Sequence, residues 1–114
     1  MSSDRRSAIV AGDDEEGLAE ALEAEGVTVK RLEGVLSRPV LEEAGIVDAD
    51  LYVLTDVSQA TTIPIARDLT DELRTVAYAR DTIPEFVRGQ IDLAIDPQVA
   101  SPTIVAEELA GTGE

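Results

Sequence analysis

A chain of 114 residues, 44% of them hydrophobic, is long enough to bury one core and is too apolar to be disordered, despite a net charge of −15. Cysteine and histidine are both absent, which excludes disulfides, thiolate metal sites, Ser-His-Asp and Cys-His catalysis and most zinc centres. The charge repels nucleic-acid phosphates and anionic membranes, and no apolar run reaches the length of a membrane span, so a soluble cytoplasmic protein without nucleic-acid or membrane partners is expected.

Residues 1–6 are polar and read as a frayed start, and 7–110 as one domain. Ala8–Ala11 has the pattern of a buried strand. Gly12 breaks it, and Asp13, Asp14, Glu15 and Glu16 lead into a helix whose Leu18 and Leu22 share one face. Asp13 followed by Glu16 fits a capping box, and Gly26 ends the helix. Val27–Leu32 reads as a second strand. Ser37 and Pro39 mark the start of a helix that runs to Ala44. Leu51–Thr55 is the clearest strand. Ser58–Leu69 is helical, but Pro64 requires that the helix start near it or kink there. Thr75–Ala79 is a fourth strand, Pro84–Arg88 a short helix and Leu93–Ile95 a fifth strand. Ser101-Pro102 opens a last helix through Leu109, and 111–114 reads as a loose tail. Strands alternating with helices predict a parallel sheet covered on both faces.

The acids are interspersed with apolar residues along the whole chain, and Lys30 is the only lysine beside eight arginines. This balance points to a halophilic cytoplasm in which salt screens the self-repulsion.

Several stretches resemble the N-terminal nucleotide-binding domain of the Trk/RCK potassium-transport regulators. Val40–Asp50 resembles the segment that leads into that family's fourth strand, and Leu51–Thr55 the strand itself. Ala79-Arg80, Pro84-Glu85 and Asp92–Pro97 resemble its last two strands and their turns. Leu18–Gly26 and Glu33 resemble its first helix and the acidic end of its second strand. The resemblance implies a Rossmann-like fold, NAD or ATP as ligand, and pairing as a homodimer or with a protein partner. It departs at the phosphate turn: of G-x-G-x-x-G only Gly12 remains, with Val10 and Glu15 at the other two places. A helix and strand after the second strand are also missing. The expected fold is therefore a single-domain, open, doubly wound parallel α/β sheet of five strands, Rossmann/flavodoxin-like, in the order 2-1-3-4-5.

That order brings a second resemblance, to phosphoacceptor receiver domains. Asp13 and Asp14 follow strand one as that family's metal-binding acids do, and Asp56 follows strand three where its phosphoacceptor lies. Asp96-Pro97 stands where receivers carry Lys-Pro, and Tyr78-Ala79 where they carry Thr or Ser before Ala. The chain is also similar to small haloarchaeal proteins that carry a CTP synthetase label. That activity needs a phosphate-binding loop and a nucleophilic cysteine, neither of which is here, so it is disfavoured.

The candidate site residues follow. Gly12, Asp13, Glu33, Thr55 and Asp56 are the cofactor-binding set, with Gly12 at phosphates and Glu33, roughly 20 residues on, at a ribose. Asp13, Asp14 and Asp56 are the Mg²⁺ set, because hard cations favour clustered oxygens. Helix capping is the favoured role for the acids after strand one and for Asp56. Arg80 is expected to pair with Asp56 or with a ligand anion, and Tyr78 and Phe86 to lie in the core or an interface. With the phosphate turn degraded and no catalytic group at the strand ends, a non-enzymatic regulatory or binding module is the favoured function. A working NAD or adenine-nucleotide domain and a receiver-like Mg²⁺/phosphate site are the alternatives.

Overall fold

The computed structural model describes residues 6–111, so the expected frayed start and loose tail lie almost wholly outside the described residues. Strands β1 (Ser7–Ala11), β2 (Thr28–Leu32), β3 (Leu51–Leu54), β4 (Arg74–Tyr78) and β5 (Leu93–Ile95) form one parallel sheet in the order β2-β1-β3-β4-β5. This flavodoxin-like order is the one expected from the sequence. β1, β3 and β4 are buried on both faces, which is why they read as continuous apolar runs.

On one face α1 (Leu18–Ala24) and α5 (Pro102–Gly111) cover Ala8, Val10, Val53, Val76 and Tyr78, with Leu18, Leu22, Val105 and Leu109 filling the layer. On the other, α2 (Arg38–Glu43), α3 (Thr62–Leu69) and α4 (Glu85–Arg88) cover Ile9, Ala11, Tyr52 and Leu54 through Leu41, Ile63, Ala66 and Val87. Among the described residues no helix is long and apolar enough to cross a membrane.

One local expectation is corrected. The capping box built on Asp13 and Glu16 does not form. Gly17 takes a left-handed conformation (φ 81°) that delays the helix to Leu18. Asp14 caps it instead: its two carboxylate oxygens accept the N–H groups of Leu18 at 2.9 Å and Ala19 at 3.0 Å. The helical stretch over 58–69 begins near the proline, the first of the two outcomes expected: a 3₁₀ turn at Val57–Gln59 precedes α3, which starts at Thr62. Pro64 then lies in the first turn of α3, where its missing N–H has no helical partner to lose.

Two polar clusters, each built on a buried threonine, tie elements together. Thr62 donates its hydroxyl to the Gln59 carbonyl at 2.6 Å and meets the Tyr52 hydroxyl at 2.6 Å. Burial raises the Tyr52 pKa, and the Thr62 bond opposes the rise only in part. At the start of β4 and β5, the Thr75 N–H donates to the Asp92 carboxylate at 2.9 Å, while the Asp92 N–H lies 2.9 Å from the Thr75 carbonyl. Arg67 reaches from α3 to the Leu73 and Gln90 carbonyls and to Asp92. Burial pushes the Asp92 carboxyl up, but the Thr75 N–H, Arg67 and the Thr75 hydroxyl outweigh it, so its pKa lies below the ordinary value.

Candidate functional site

The carboxyl ends of β1, β3 and β4 meet around a cleft of about 320 Å³ at the place where the strand order reverses. Asp13, Glu15 and Glu16 reach it from the turn after β1, and Thr55 and Asp56 from the end of β3. Arg80 and Asp81 reach it from the turn after β4. The cleft therefore holds five carboxylates and one guanidinium. Arg80 pairs with Glu16 at 3.3 Å and not with Asp56 as expected. The partner lies 64 residues away in sequence, so no local pattern announced it.

The two strand ends approach each other closely because Gly12 has no side chain. Gly12 sits at φ 114°, and a Cβ there would lie 2.6 Å from the Asp56 Cβ and 2.9 Å from the Thr55 hydroxyl oxygen. The Thr55 N–H donates to the Ala11 carbonyl at 3.0 Å. The Thr55 hydroxyl donates to the Asp13 carbonyl and lies 3.3 Å from that of Ala11. Gly12 and Thr55 are thus occupied in joining β1 to β3, in the space where a phosphate-binding turn would leave room for a ligand.

Asp56 caps the 3₁₀ turn that follows. One carboxylate oxygen accepts the Ser58 N–H at 2.9 Å and the Ser58 hydroxyl at 2.8 Å. This is the favoured expectation for that residue. Asp13 shares the cleft with Asp56, whereas Asp14 is turned onto α1. Among the described residues, no three carboxylates converge closely enough to hold a metal ion. Glu33 does not line the cleft. It lies beyond the outer strand β2 and pairs with Arg31 at 2.9 Å, with both side chains about half exposed.

Tyr78 borders the cleft but turns its hydroxyl to the Ala100 carbonyl at 2.8 Å, at the base of α5. Burial raises its pKa, and the nearby carboxylates of Glu16, Asp14 and Asp96 raise it further. Phe86, expected in core or interface, is 61% exposed on α4. That helix is too short to bury more than one face, and Val87 takes the buried position.

The fold is shared with solved structures of low sequence identity. An orphan response regulator of H. pylori matches with a TM-score of 0.70 at 12% identity, over 91% of this chain and 92% of that one. A putative pilus assembly-related protein of Burkholderia pseudomallei matches with a TM-score of 0.66 at 17% identity, over 93% and 87%. A response regulator of B. pseudomallei, solved with a phosphorylated aspartic acid, a calcium ion and citrate, matches with a TM-score of 0.60 at 18% identity, over 91% and 70%. No curated protein sequence matches the chain. The profile of the family of unknown function DUF7126 matches residues 8–109, nearly the whole chain, and the protein belongs to that family.

Proposed function

We propose that the protein is a non-enzymatic regulatory or binding module that uses a receiver-like frame without phosphoryl transfer. One observation carries the reading: the cleft at the strand ends is lined by Asp13, Glu15, Glu16, Asp56 and Asp81 against the single Arg80, itself tied to Glu16. A phosphoryl group on Asp56 would add about −1.5 to −2 charge among those acids. Its developing charge would find no free cation there, and charge stabilisation is what phosphoryl transfer chiefly requires. At the end of β5, Asp96 stands where the receiver resemblance expects lysine. A working NAD or adenine-nucleotide domain of Trk/RCK type has less support, because Gly12 is packed against Asp56 and Glu33 is paired with Arg31. In this reading the module works in a salt-rich cytoplasm, where the surplus acids are screened, and signals through a protein partner or a second copy.

The test is incubation with a small phosphodonor and Mg²⁺ in molar KCl, followed by intact mass. No phosphoryl adduct is expected. An adduct on the wild type that Asp56→Asn removes would overturn the proposal and restore the phospho-switch.

A further inference from the structure

A second cavity, of about 490 Å³, lies beyond Arg80 on the α4 side of β4 and β5. Its origin is visible in the strand register. Ala77 of β4 and Ala94 of β5 are direct cross-strand partners, so two methyl groups lie side by side where larger residues would fill the sheet surface. Helix α4 has only four residues, and Arg88 at its end borders the gap. Ile83 and Ile91 form the apolar walls, each packed at its other side against the core.

The rim carries two guanidiniums, Arg80 and Arg88, and two carboxylates, Asp81 and Asp96. This balance sits in a chain with 24 acids and 9 bases, and it contrasts with the five-to-one lining of the first cleft. Two of the four rim charges are engaged. Arg80 pairs with Glu16, and Asp96 accepts the Gln98 N–H at 2.8 Å. Among the described residues, the side chains of Arg88 and Asp81 make neither an ion pair nor a hydrogen bond. One cation and one anion thus stand available over an apolar floor.

We propose that this cavity binds a small zwitterion with an apolar side chain, an α-amino acid of the leucine type. Its carboxylate meets Arg88, its ammonium meets Asp81, and its hydrocarbon covers Ala77 and Ala94. The lining argues against the simpler ligands. A lone anion meets two carboxylates, a lone cation meets two guanidiniums, and a ligand without hydrocarbon leaves the alanine floor and isoleucine walls wet. Two solvent-exposed ion pairs and one partly covered side chain correspond to weak affinity, on the order of 1 mM. The two clefts share Arg80 and Asp81, but Ala77, Arg88 and Ala94 line only the second, so variants at Arg88 and Ala94 test this proposal apart from the phosphoryl question.

The test is an amide chemical-shift titration with L-leucine, 4-methylpentanoate, 3-methylbutylamine and glycine, in the lowest KCl that keeps the chain folded. Saturable shifts at Ala77, Ile83 and Ala94 are expected with L-leucine. The three fragments, each lacking one feature, should bind at least about tenfold more weakly. Ala94→Leu fills the hollow from an exposed edge position and should abolish the shifts. Arg88 is exposed and its side chain has no protein partner, so Arg88→Gln should leave the fold intact and weaken leucine binding by about tenfold. The proposal fails if leucine gives no saturable shifts, if either single-charge fragment binds as well as leucine, or if Arg88→Gln binds like the wild type.

Discussion

Replacing Gly12 with alanine tests the contact that holds the two strand ends together. Two penalties add at this position. Backbone at φ 114° is strained for any residue with a Cβ, by about 1–3 kcal/mol. The new methyl would also lie 2.6 Å from the Asp56 Cβ and 2.9 Å from the Asp56 backbone nitrogen, against an optimal carbon–carbon separation of about 3.5–4.0 Å. Neither neighbour is the free end of a long side chain, so the end of β3 must move, an overpacking penalty of about 1–3 kcal/mol. The sum, roughly 2–6 kcal/mol, is a large part of the total stability of a small domain. Gly45→Ala is the internal control. That glycine also has positive φ, 88°, but a Cβ there meets nothing within 4 Å, so only a backbone penalty of about 1–2 kcal/mol applies. Thermal and urea melts of both variants in molar KCl measure the difference. Gly12→Ala should melt well below Gly45→Ala, each kcal/mol being about 4 °C in a chain of this size. Coincident melting curves would refute the packed contact and reopen the space above Gly12 for a ligand.

Further outcomes follow from other contacts. Asp14→Ala leaves the Leu18 and Ala19 N–H groups uncapped and should cost about 1 kcal/mol in urea melts, with Asp14→Asn recovering part of it. The Asp92 carboxyl is held below its ordinary value, so its charged form stabilises the fold. That contribution is complete above about pH 4 and is lost as pH falls through the lowered folded-state pKa. Asp92→Asn should therefore lower the urea midpoint near pH 7, and the gap to the wild type should close in acid. The Gln90 side-chain oxygen is buried without a partner, so Gln90→Leu should be neutral or stabilising by about 1 kcal/mol in the same assay. The melting temperature should rise steeply from dilute buffer to molar KCl as screening relieves repulsion among the surplus acids, and a flat response would contradict the halophilic reading.

The fold was legible because its signals are local and repeated. Buried runs such as Leu51–Leu54 alternate with amphipathic stretches, and the short passage from Glu33 to Ser37 leaves no room for an extra helix and strand, which sets the order of the sheet. The site was legible in position but less so in detail. Asp13, Thr55 and Asp56 do meet at the reversal of strand order, and Asp56 caps as its place after β3 suggested. The capping acid after β1 was misassigned because Gly17 shifts the helix start, although a glycine just before Leu18 is a signal that such a delay is available. The Arg80–Glu16 pair and the second cavity depend on residues from distant turns and on the register of two alanines, which no single-sequence pattern encodes.

The packing of α5 on α1 has a consequence for how the chain is made. Leu18 and Leu22, near the beginning, share their layer with Val105, Ala106 and Leu109, near the end. During synthesis the apolar face of α1 emerges long before its cover, and β4, which packs in the same layer through Val76 and Tyr78, follows it by some fifty residues. Contacts of such separation are slow to close. A chain cut before residue 109 would leave Leu18 and Leu22 partly uncovered, so the apolar layer of this face closes only when α5 is in place.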